Sequence, residues 1–396
     1  MAYVPGMEMT DGVSVRIAYV TESFPPDVNG VAHTAVRVAE HLLSRGHQPL
    51  VIAPQAASGR PVPDRSFDFP IVRVRSIAVP LYRGFRVGLP GSQVREAIAA
   101  HRADVVHLHG PFVLGASGCT AAVDQQVPVV AVYATDLPAY ARLYHAGAVG
   151  EAFAWRRLRK IHNAANRTLA PSTATAADLR QQGIERVQVW ARGVDCRRFD
   201  PAKRSEELRA ALAPGGELLV GYVGRLATEK RVDLLAATAA LPGVRLVIVG
   251  GGPAEAAIRQ AVPSALFLGQ RSGEQLAELY ASFDIFVHGG PHDTFGQTLQ
   301  EAAASGLPVV APAAGGPLDL VRDGTTGFLV PPGSAAGLAD AVARLAANPA
   351  LRAAQGRAGR QMVLHRSWPV MCDELIAHYA DVLESAGSAE REAVAA

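Results

Sequence analysis

The segment IFVHGGPHDTFGQTLQEAAASGLPVVA, residues 285–311, predicts a strand, a glycine-rich loop, a helix and a second strand. Its first three residues are apolar and include two that are β-branched, which indicates a buried strand. Glycines follow at once and indicate a loop, a helix is expected from near Gly296, and residues 309–311 predict the second strand. A strand that leads through a helix into another strand is the repeating unit of a parallel sheet.

The same alternation continues on the N-terminal side of this segment. Strands are predicted at residues 15–20, 50–53, 104–108, 129–133, 168–170, 218–223, 246–249 and 266–268. A stretch rich in Gly and Pro, residues 192–216, divides the alternation into two parts. We therefore predict two doubly wound α/β domains: residues 14–201, completed by a C-terminal helix at 367–386, and residues 202–366. Ligands bind at the carboxyl ends of strands in such sheets, so two sheets that face each other are expected to form a cleft.

The composition of the 396 residues is that of packed domains, with 49% hydrophobic and 19% charged residues. A net charge of +2 argues against a dedicated nucleic-acid-binding protein. The three cysteines, at 119, 196 and 372, are far apart and lack metal-ligand spacing, which favours a reducing compartment. The N-terminus lacks the basic start and apolar run of a secretory signal, and no run of about 18 apolar residues is present. We therefore expect a cytoplasmic protein.

Two cations lie in the loop that follows the predicted strand at 218–223. Arg225 and Lys230 are placed there to clamp a diphosphate between a strand end and a helix start. The alternative is a solvated charged loop in which Glu229 pairs with Lys230. The sequence leaves both interpretations open.

Glycines follow two other predicted strands. Gly30, after Asn29, precedes a helix, and a glycine there lets backbone N–H groups approach an anion. An ordinary loop glycine is the alternative. The triplet at 250–252 is followed by Pro253 and lacks the G-x-G-x-x-G spacing, so we reject an NAD site. A glycine turn beside a nucleotide is left open.

Two acidic residues, Asp293 and Glu301, lie in the segment that opened this section. Eight residues along a helix span roughly 12 Å. That exceeds the ~5–9.5 Å between the paired carboxyls of glycosidases. The two acids therefore suit a sugar at one end of a ligand and a ribose at the other, with the amides of Phe295 and Gly296 facing a phosphate between them. The alternative is a helix capped by Asp293 or Thr294, with Glu301 as an exposed acid.

These motifs together resemble glycosyltransferase family 4, whose members are retaining enzymes that use nucleotide sugars. The similar segments are residues 293–311, GRL…K at 224–230, RGVD…FDP at 192–201 and FPP…NGV at 24–31. The resemblance covers about residues 15–385 and implies the GT-B fold, in which two Rossmann-like domains face each other. The family usually has Glu at both acidic positions, whereas this chain has Asp293 at the first.

A narrower similarity is to the GDP-mannose-dependent α-mannosyltransferases, which act on membrane glycolipids. It is based on residues 290–301, 313–321 and 133–138. Subgroups that share these motifs differ in donor and acceptor. The resemblance therefore makes GDP-mannose the first expectation for the donor and a UDP-sugar the second.

The resemblance also implies roles on the donor side. Arg225 and Lys230 would bind the diphosphate and neutralise the charge of the leaving group, as preorganised donors do. Glu301 would bind the ribose, and Asp293 the hydroxyls of the hexose. The predicted donor-binding residues are Gly30, Arg225, Lys230, Asp293, Thr294, Phe295, Gly296 and Glu301.

The acceptor side departs from the family at one position. Many relatives have His where this chain has Ala134, which can neither bond the sugar nor move a proton. Thr135, Asp136 or His109 would cover part of that role, although His109 is also typical of a structural turn. Asp136 would take the acceptor proton, or the leaving phosphate would take it in a front-side attack. The predicted acceptor-binding residues are Asn29, Thr135 and Asp136, and the predicted catalytic residues are His109, Asp136, Arg225 and Lys230.

No metal site and no cofactor are predicted beside the nucleotide-sugar co-substrate. We expect His107 and His109 to point to opposite faces of their strand, and no D-x-D motif is present. Arg225 and Lys230 would take the part of a metal ion at the diphosphate.

Two segments of the N-terminal domain are basic. Residues 71–102 contain six arginines and one glutamate, and residues 155–167 contain five basic residues and no acid. Such segments suit anionic lipid headgroups, or an acceptor that carries phosphate. A solvated helix face and loop are the alternative.

We predict a metal-independent, retaining glycosyltransferase that moves a hexose, mannose in the first place, onto a hydroxyl acceptor. A membrane glycolipid is the first acceptor, with peripheral contact at the inner face of the cell membrane, and no nucleic acid is involved. The alternatives are a transferase that uses a UDP-sugar on a soluble secondary metabolite, an epimerase or phosphorylase of the same fold, and a nucleotide-sugar-binding protein without turnover.

Overall fold

A computed structural model describes residues 14–27, 29–56, 67–78, 86–110, 113–139 and 147–395. The chain forms two compact units. The first consists of the residues up to Pro171, of Ala176–Trp190 and of the residues from Met371 onward. The second consists of Ser172–Thr175 and Ala191–Val370.

Each unit is built on a parallel sheet. The strands in the described ranges are β1 (Arg16–Thr21), β2 (Gln48–Pro54), β3 (Ile71–Val74), β4 (Ser76–Ala78), β5 (Arg86–Gly88), β6 (Val105–His109), β7 (Val129–Val132), β8 (Arg167–Ala170), β9 (Val187–Val189), β10 (Leu218–Val223), β11 (Val244–Val249), β12 (Leu266–Gly269), β13 (Ile285–Val287), β14 (Val309–Pro312) and β15 (Gly327–Val330). The first unit has the order β3-β2-β1-β6-β7-β8-β9, and the second has β12-β11-β10-β13-β14-β15. Strands β4 and β5 form a separate antiparallel pair.

Helices connect these strands. They are α1 (Gly30–Ser44), α2 (Ser92–His101), α3 (Val113–Asp124), α4 (Gly147–Ala164), α5 (Thr173–Gln181), α6 (Glu206–Leu212), α7 (Ala236–Ala239), α8 (Glu255–Ala261), α9 (Gly273–Ser282), α10 (Gln297–Ala304), α11 (Pro317–Leu320), α12 (Ala335–Ala346), α13 (Pro349–Val363) and α14 (Trp368–Ala395). Short 3-10 helices are formed by Pro201–Lys203, Thr228–Lys230 and Val232–Leu235. Among the helices described, none is both long and apolar enough to cross a membrane.

The strand orders confirm the prediction of two doubly wound α/β domains. In each sheet the direction of winding reverses next to the first strand of the unit, between β1 and β6 and between β10 and β13. Loops that leave the carboxyl ends of such neighbouring strands form the binding crevice of this architecture. We therefore expect the candidate site residues in the loops that follow β1, β6, β10 and β13.

The last helix returns the chain to the first unit. The indole Nε1 of Trp190 donates to the Met371 carbonyl at 2.7 Å, and the Tyr379 hydroxyl lies 2.8 Å from Nδ1 of His107. Asp373 accepts from Arg45, and His41 Nε2 lies 2.7 Å from its Oδ1. From Met371 onward, helix α14 therefore packs with the first unit.

Three details differ from the sequence analysis. Residues 191–201, which were placed in the first domain, pack with the second unit. There Val194 forms a parallel bridge with Ser367, and Asp200 accepts from Arg360 at 2.5 Å. Helix α14 also continues to Ala395, beyond residue 386, where the predicted C-terminal helix ends. Five strands were not predicted. Strands β3, β9 and β15 are edge strands of three or four residues, and β4 and β5 form the separate antiparallel pair.

Candidate donor and acceptor sites

The two loops at the switch point of the second sheet meet through an ion pair. Because β10 and β13 are neighbours, the loop that carries Lys230 lies beside the loop that carries Asp293. The Lys230 ammonium group donates to Oδ1 of Asp293, and Nε2 of His288 lies 2.9 Å from Oδ2. The Asp293 side chain is 14% exposed and that of Lys230 is 24% exposed. The predicted donor residues Lys230 and Asp293 are therefore in direct contact.

The charge state of Asp293 follows from these partners. Burial alone would raise the pKa of this carboxyl. The ammonium charge of Lys230, with the His288 ring close by, outweighs burial and holds the pKa of Asp293 well below its usual range. Asp293 is therefore a carboxylate, and its oxygens are acceptors for hydroxyl groups.

Arg225, the second predicted cation, faces Glu229. Its Nη1 lies 3.7 Å from Oε1 of Glu229, whose side chain is 7% exposed. Neither carboxylate oxygen of Glu229 accepts a hydrogen bond within the described part of the chain. The alternative in which Glu229 pairs with Lys230 is thus wrong, because Lys230 pairs with Asp293. Both cations lie in partly buried ion pairs, where a phosphate would be attracted more strongly than in open water.

Glycines allow the loops around Arg225 to pack backbone against backbone. A Cβ on Gly250 would lie 1.8 Å from the Gly224 carbonyl oxygen, and one on Gly252 would lie 2.3 Å from that of Leu226. The Leu226 amide donates to the Gly251 carbonyl at 3.1 Å. Gly250 and Gly252 thus pack against the loop that carries Arg225, and this packing requires glycine at both positions whether or not a nucleotide binds there.

The start of α10 differs from a side-chain-capped helix. Gly296 is the N-cap with φ +95° and offers no side chain, so the alternative of Asp293 or Thr294 as the cap is wrong. The Asp293 carbonyl instead accepts from the Gly316 amide at 2.7 Å. Phe295 is buried, with 3% of its surface exposed. The segment between Asp293 and α10 is therefore held by backbone contacts and by an aromatic anchor.

Glu301 is on the second turn of α10 and is not an exposed helical acid. The Tyr280 hydroxyl, on α9, donates to Oε2 of Glu301 at 3.2 Å. Burial raises the pKa of Glu301 to about 7, against hydrogen bonds from Tyr280 and Gln297 and the charge of Arg198, which lower it. The carboxyl group is therefore held in place and titrates near neutral pH.

In the first unit, Asn29 serves as the N-cap of α1. Its side-chain oxygen accepts from the amides of Val31 at 3.0 Å and Ala32 at 2.9 Å, and its amide group donates to Ser23 Oγ. Gly30 is the first residue of the helix. These bonds place Asn29 and Gly30 at the carboxyl edge of the sheet, where the sequence analysis expected ligand contacts.

The expectation that His107 and His109 point to opposite faces is wrong. Residues two apart on a strand share a face. Nε2 of His107 lies 3.5 Å from Nδ1 of His109, and both rings stack on Tyr19. His109 is 1% exposed, and burial lowers the pKa of His107 to about 3. His109 is thus part of a buried stack of aromatic rings. Among the residues described, no group of three His, Cys, Asp or Glu side chains could hold a metal ion.

Asp136 organises the turn after β7. Its Oδ1 accepts from the Tyr133 hydroxyl at 3.1 Å and from the Ala139 amide at 3.0 Å. Thr135 and Asp136 are partly exposed, whereas Ala134 is buried. Of the candidate proton acceptors, Asp136 is more accessible than His109.

Glu22 was missed by the sequence analysis. It follows β1 directly, is 5% exposed, and its Oε1 accepts from the amides of Leu114 at 2.6 Å and Gly115 at 3.0 Å at the start of α3. Burial raises the pKa of Glu22 to about 7. An acid directly after a predicted strand, at the ligand-binding edge of the sheet, was the signal that could have identified it.

Known sequences are similar along almost the whole chain. Residues 28–198 match the family described as Glycosyltransferase Family 4, and residues 203–362 match Glycosyl transferases group 1. A Mycobacterium tuberculosis protein named GDP-mannose-dependent alpha-mannosyltransferase is 49% identical over 93% of this chain and 97% of its own. A Corynebacterium glutamicum protein of the same name is 40% identical over 93% of this chain and 89% of its own. The chain belongs to glycosyltransferase family 4.

Solved structures agree with the fold of this family 4 glycosyltransferase. Sucrose-phosphate synthase from Thermosynechococcus elongatus aligns with a TM-score of 0.77 and 23% identity over 93% of this chain and 99% of that one. Anabaena HepE in complex with UDP and glucose aligns with a TM-score of 0.73 and 22% identity, at the same coverages. The GT-B fold class is thereby confirmed. The sequence relatives and the family models confirm the classification as a glycosyltransferase.

Proposed function

We propose that this glycosyltransferase transfers mannose from GDP-mannose to a hydroxyl group, with retention at the anomeric carbon and without a metal ion. The observation that carries the choice of donor is the 49% identity to a relative of that name over 93% of the chain. The carboxylate of Asp293 supplies acceptors for sugar hydroxyls, and Lys230 and Arg225 supply countercharges for a diphosphate.

The ion pair between Lys230 and Asp293 suggests how the donor is bound. A diphosphate beside Lys230 attracts its ammonium group, and the Asp293 carboxylate then becomes available to the hydroxyls of the hexose. Arg225 neutralises the second phosphate, and Glu301 accepts from the ribose. Asp293 is one methylene shorter than the usual glutamate, so the hexose would lie closer to the backbone of the loop that carries Asp293.

In the proposed transfer, the acceptor oxygen forms the new bond to the anomeric carbon as the bond to the diphosphate oxygen breaks. The bonding electrons remain on the departing diphosphate, where Arg225 and Lys230 stabilise the developing charge. The acceptor proton passes to Asp136 or to the departing phosphate. His109 is buried, which favours Asp136 among the side chains of the first unit.

A nucleotide panel tests the donor. In the presence of a chelator, GDP and GDP-mannose are expected to raise the thermal unfolding midpoint, because ligands that bind the folded state stabilise it by mass action. UDP and UDP-sugars are expected to leave the midpoint unchanged. A larger shift with UDP-sugars would replace the proposed donor, and no shift with any nucleotide would contradict nucleotide-sugar transfer without a metal.

We also propose that helix α4 touches an anionic membrane that holds a glycolipid acceptor. Val149 is 83% exposed and Phe153 is 66% exposed. Arg156 and Lys160, also exposed, follow at spacings that place all four on one stripe of the helix. Exposed apolar side chains flanked by cations suit the boundary between headgroups and acyl chains.

Vesicle binding tests this contact. The double variant Phe153→Ser with Arg156→Gln is expected to bind phosphatidylglycerol vesicles about 30-fold more weakly. It loses one aromatic ring that would enter the membrane and one cation that would contact the lipid headgroups. Val123→Ser, which removes an exposed valine from α3, serves as the matched control. Equal binding of the double variant and the control would rule out α4 as the contact, and binding to neutral vesicles alone would rule out the charge attraction.

A further inference from the structure

A hydrogen bond between two helices joins Tyr280 on α9 to Glu301 on α10. The Tyr280 hydroxyl lies 3.2 Å from Oε2 of Glu301 and 3.3 Å from the carbonyl oxygen of Thr298, on the same helix. A phenol has one proton to donate, and an ionised carboxylate is a stronger acceptor than a neutral carbonyl. The Tyr280 proton is therefore directed at Glu301 whenever Glu301 is ionised.

The Tyr280 ring is held in the core of the second unit. Its side chain is fully buried. The ring packs edge to face against Phe199, with 5.4 Å between centroids, and against Phe283 at 6.4 Å. A third ring, that of Phe286, lies at 5.6 Å. In a close-packed core the ring cannot shift without moving its neighbours, so its hydroxyl is a donor at a fixed position.

Tyr280 and Glu301 differ in their access to a ligand. Tyr280 is fully buried, whereas Glu301 is partly exposed. A nucleotide can therefore reach the Glu301 side chain and cannot reach the Tyr280 ring. An effect of the Tyr280 hydroxyl on nucleotide binding must then pass through the carboxylate to which it donates.

We propose that Tyr280 is a positioning residue that holds the Glu301 carboxylate in the orientation required by the donor ribose. The buried hydroxyl holds Oε2, and the carboxylate in that orientation accepts from the ribose hydroxyls. The proposal rests on the proposed function, because it takes Glu301 as the ligand of the ribose.

The same bond favours the ionised form of Glu301. The titratable and charged groups that face Glu301 in the described part of the chain are Tyr280 from α9 and Arg198 from the segment before α6. Burial raises the pKa of Glu301 to about 7, against the Tyr280 bond and the Arg198 charge. Burial also raises the pKa of Tyr280 well above its usual value, so the phenol keeps its proton. Without the Tyr280 hydroxyl the pKa of Glu301 would be higher, and fewer molecules would carry the carboxylate at neutral pH.

The test measures the affinity of Tyr280→Phe for GDP and for 2′,3′-dideoxy-GDP, which lacks the ribose hydroxyls. At neutral pH we expect Tyr280→Phe to bind GDP about tenfold more weakly, the usual effect of losing one hydrogen bond to a charged group. Its affinity for 2′,3′-dideoxy-GDP is expected to equal that of the wild type. The pH at which GDP affinity falls on acidification is expected to be higher in the variant. Well above that pH, where Glu301 is ionised in both proteins, a loss of GDP affinity caused by orientation alone is expected to remain.

Tyr379→Phe is the matched control. It also removes one buried phenol hydroxyl, which lies 2.8 Å from Nδ1 of His107 in the first unit. Its affinity for both nucleotides is expected to equal that of the wild type. The double variant Tyr280→Phe with Glu301→Ala is expected to bind GDP as weakly as Glu301→Ala alone, because the hydroxyl acts through the carboxylate.

Each outcome has a separate meaning. Equal GDP affinities of the wild type and Tyr280→Phe at every pH would overturn the positioning role, as would an equal loss of affinity for GDP and 2′,3′-dideoxy-GDP. Glu301→Ala with unchanged GDP affinity would instead overturn the assignment of Glu301 in the proposed function. If the wild type binds UDP rather than GDP, the proposed donor is wrong, and UDP and 2′,3′-dideoxy-UDP take the place of the guanine nucleotides in the same test.

A second measurement replaces Tyr280→Phe if that variant does not fold. Incorporation of 3-fluorotyrosine at position 280 keeps the ring and the hydroxyl and makes the phenol a stronger donor. It is expected to move the loss of GDP affinity on acidification to lower pH. An unchanged pH dependence would overturn the positioning role.

Discussion

Lys230→Ala is expected to lower kcat/KM for the sugar nucleotide by about 10²–10³-fold, the range found when one preorganised donor to a developing charge is removed. Lys230 lies in a partly buried pair with Asp293, at the point where the loops after β10 and β13 meet. Its removal leaves the departing diphosphate with one cation fewer. Initial rates with varied donor measure the effect.

Arg231→Gln is the matched control for this variant. Arg231 is the next residue in the chain, and its guanidinium pairs with Asp233 at 3.0 Å rather than with the site. Its activity is expected to stay close to that of the wild type. Lys230→Gln is measured beside Lys230→Ala. Because Asp293 loses a partner in each variant, the thermal unfolding midpoints of both are measured to establish that they fold. Wild-type kinetics in both folded variants would show that Lys230 does not bind the donor.

Gly250→Ala is expected to destabilise the protein by about 2–5 kcal/mol, from a strained backbone and a forced displacement of neighbouring atoms. Gly250 has φ +143°, and a Cβ there would lie 1.8 Å from the Gly224 carbonyl oxygen. The loop with Arg225 must move to make room, so donor binding is expected to weaken as well. Denaturant unfolding and nucleotide affinity measure the two effects.

Gly251→Ala tests whether the effect is specific to that position. Gly251 is in the same loop, and a Cβ there would meet the flexible side chain of Gln270 at 3.4 Å, an ordinary contact distance. The free energy of unfolding of Gly251→Ala is expected to differ from that of the wild type by less than about 1 kcal/mol. Equal unfolding free energies for the two alanine variants would contradict the packing argument.

Much of the fold follows from the sequence, because buried parallel strands are runs of apolar residues that local pattern detects. Strands β1, β6, β10 and β13 are of this kind and were predicted within two residues. Edge strands β3, β9 and β15 have only three or four residues, and β15, GFLV, also begins with glycine, so their patterns are weak. Their existence depends on pairing with a neighbour, which no local pattern contains.

The sequence analysis named candidate site residues singly and did not predict which of them are in contact. Lys230 and Asp293 were both named, yet their contact depends on β10 and β13 being neighbours, which chain order does not reveal. Glu229 was therefore the nearest partner that sequence could offer Lys230. Glu22 escaped notice because its role, accepting from amides some 90 residues later at the start of α3, is purely tertiary.

The return of α14 to the first unit has a consequence for synthesis on the ribosome. Domains generally fold in the order in which they emerge, N-terminal first. Here the partners of Trp190 and of His107 are Met371 and Tyr379, which leave the ribosome after the whole of the second unit. The unit that is translated first is therefore completed last, and until then His107 lacks the hydroxyl that lies beside it in the finished protein.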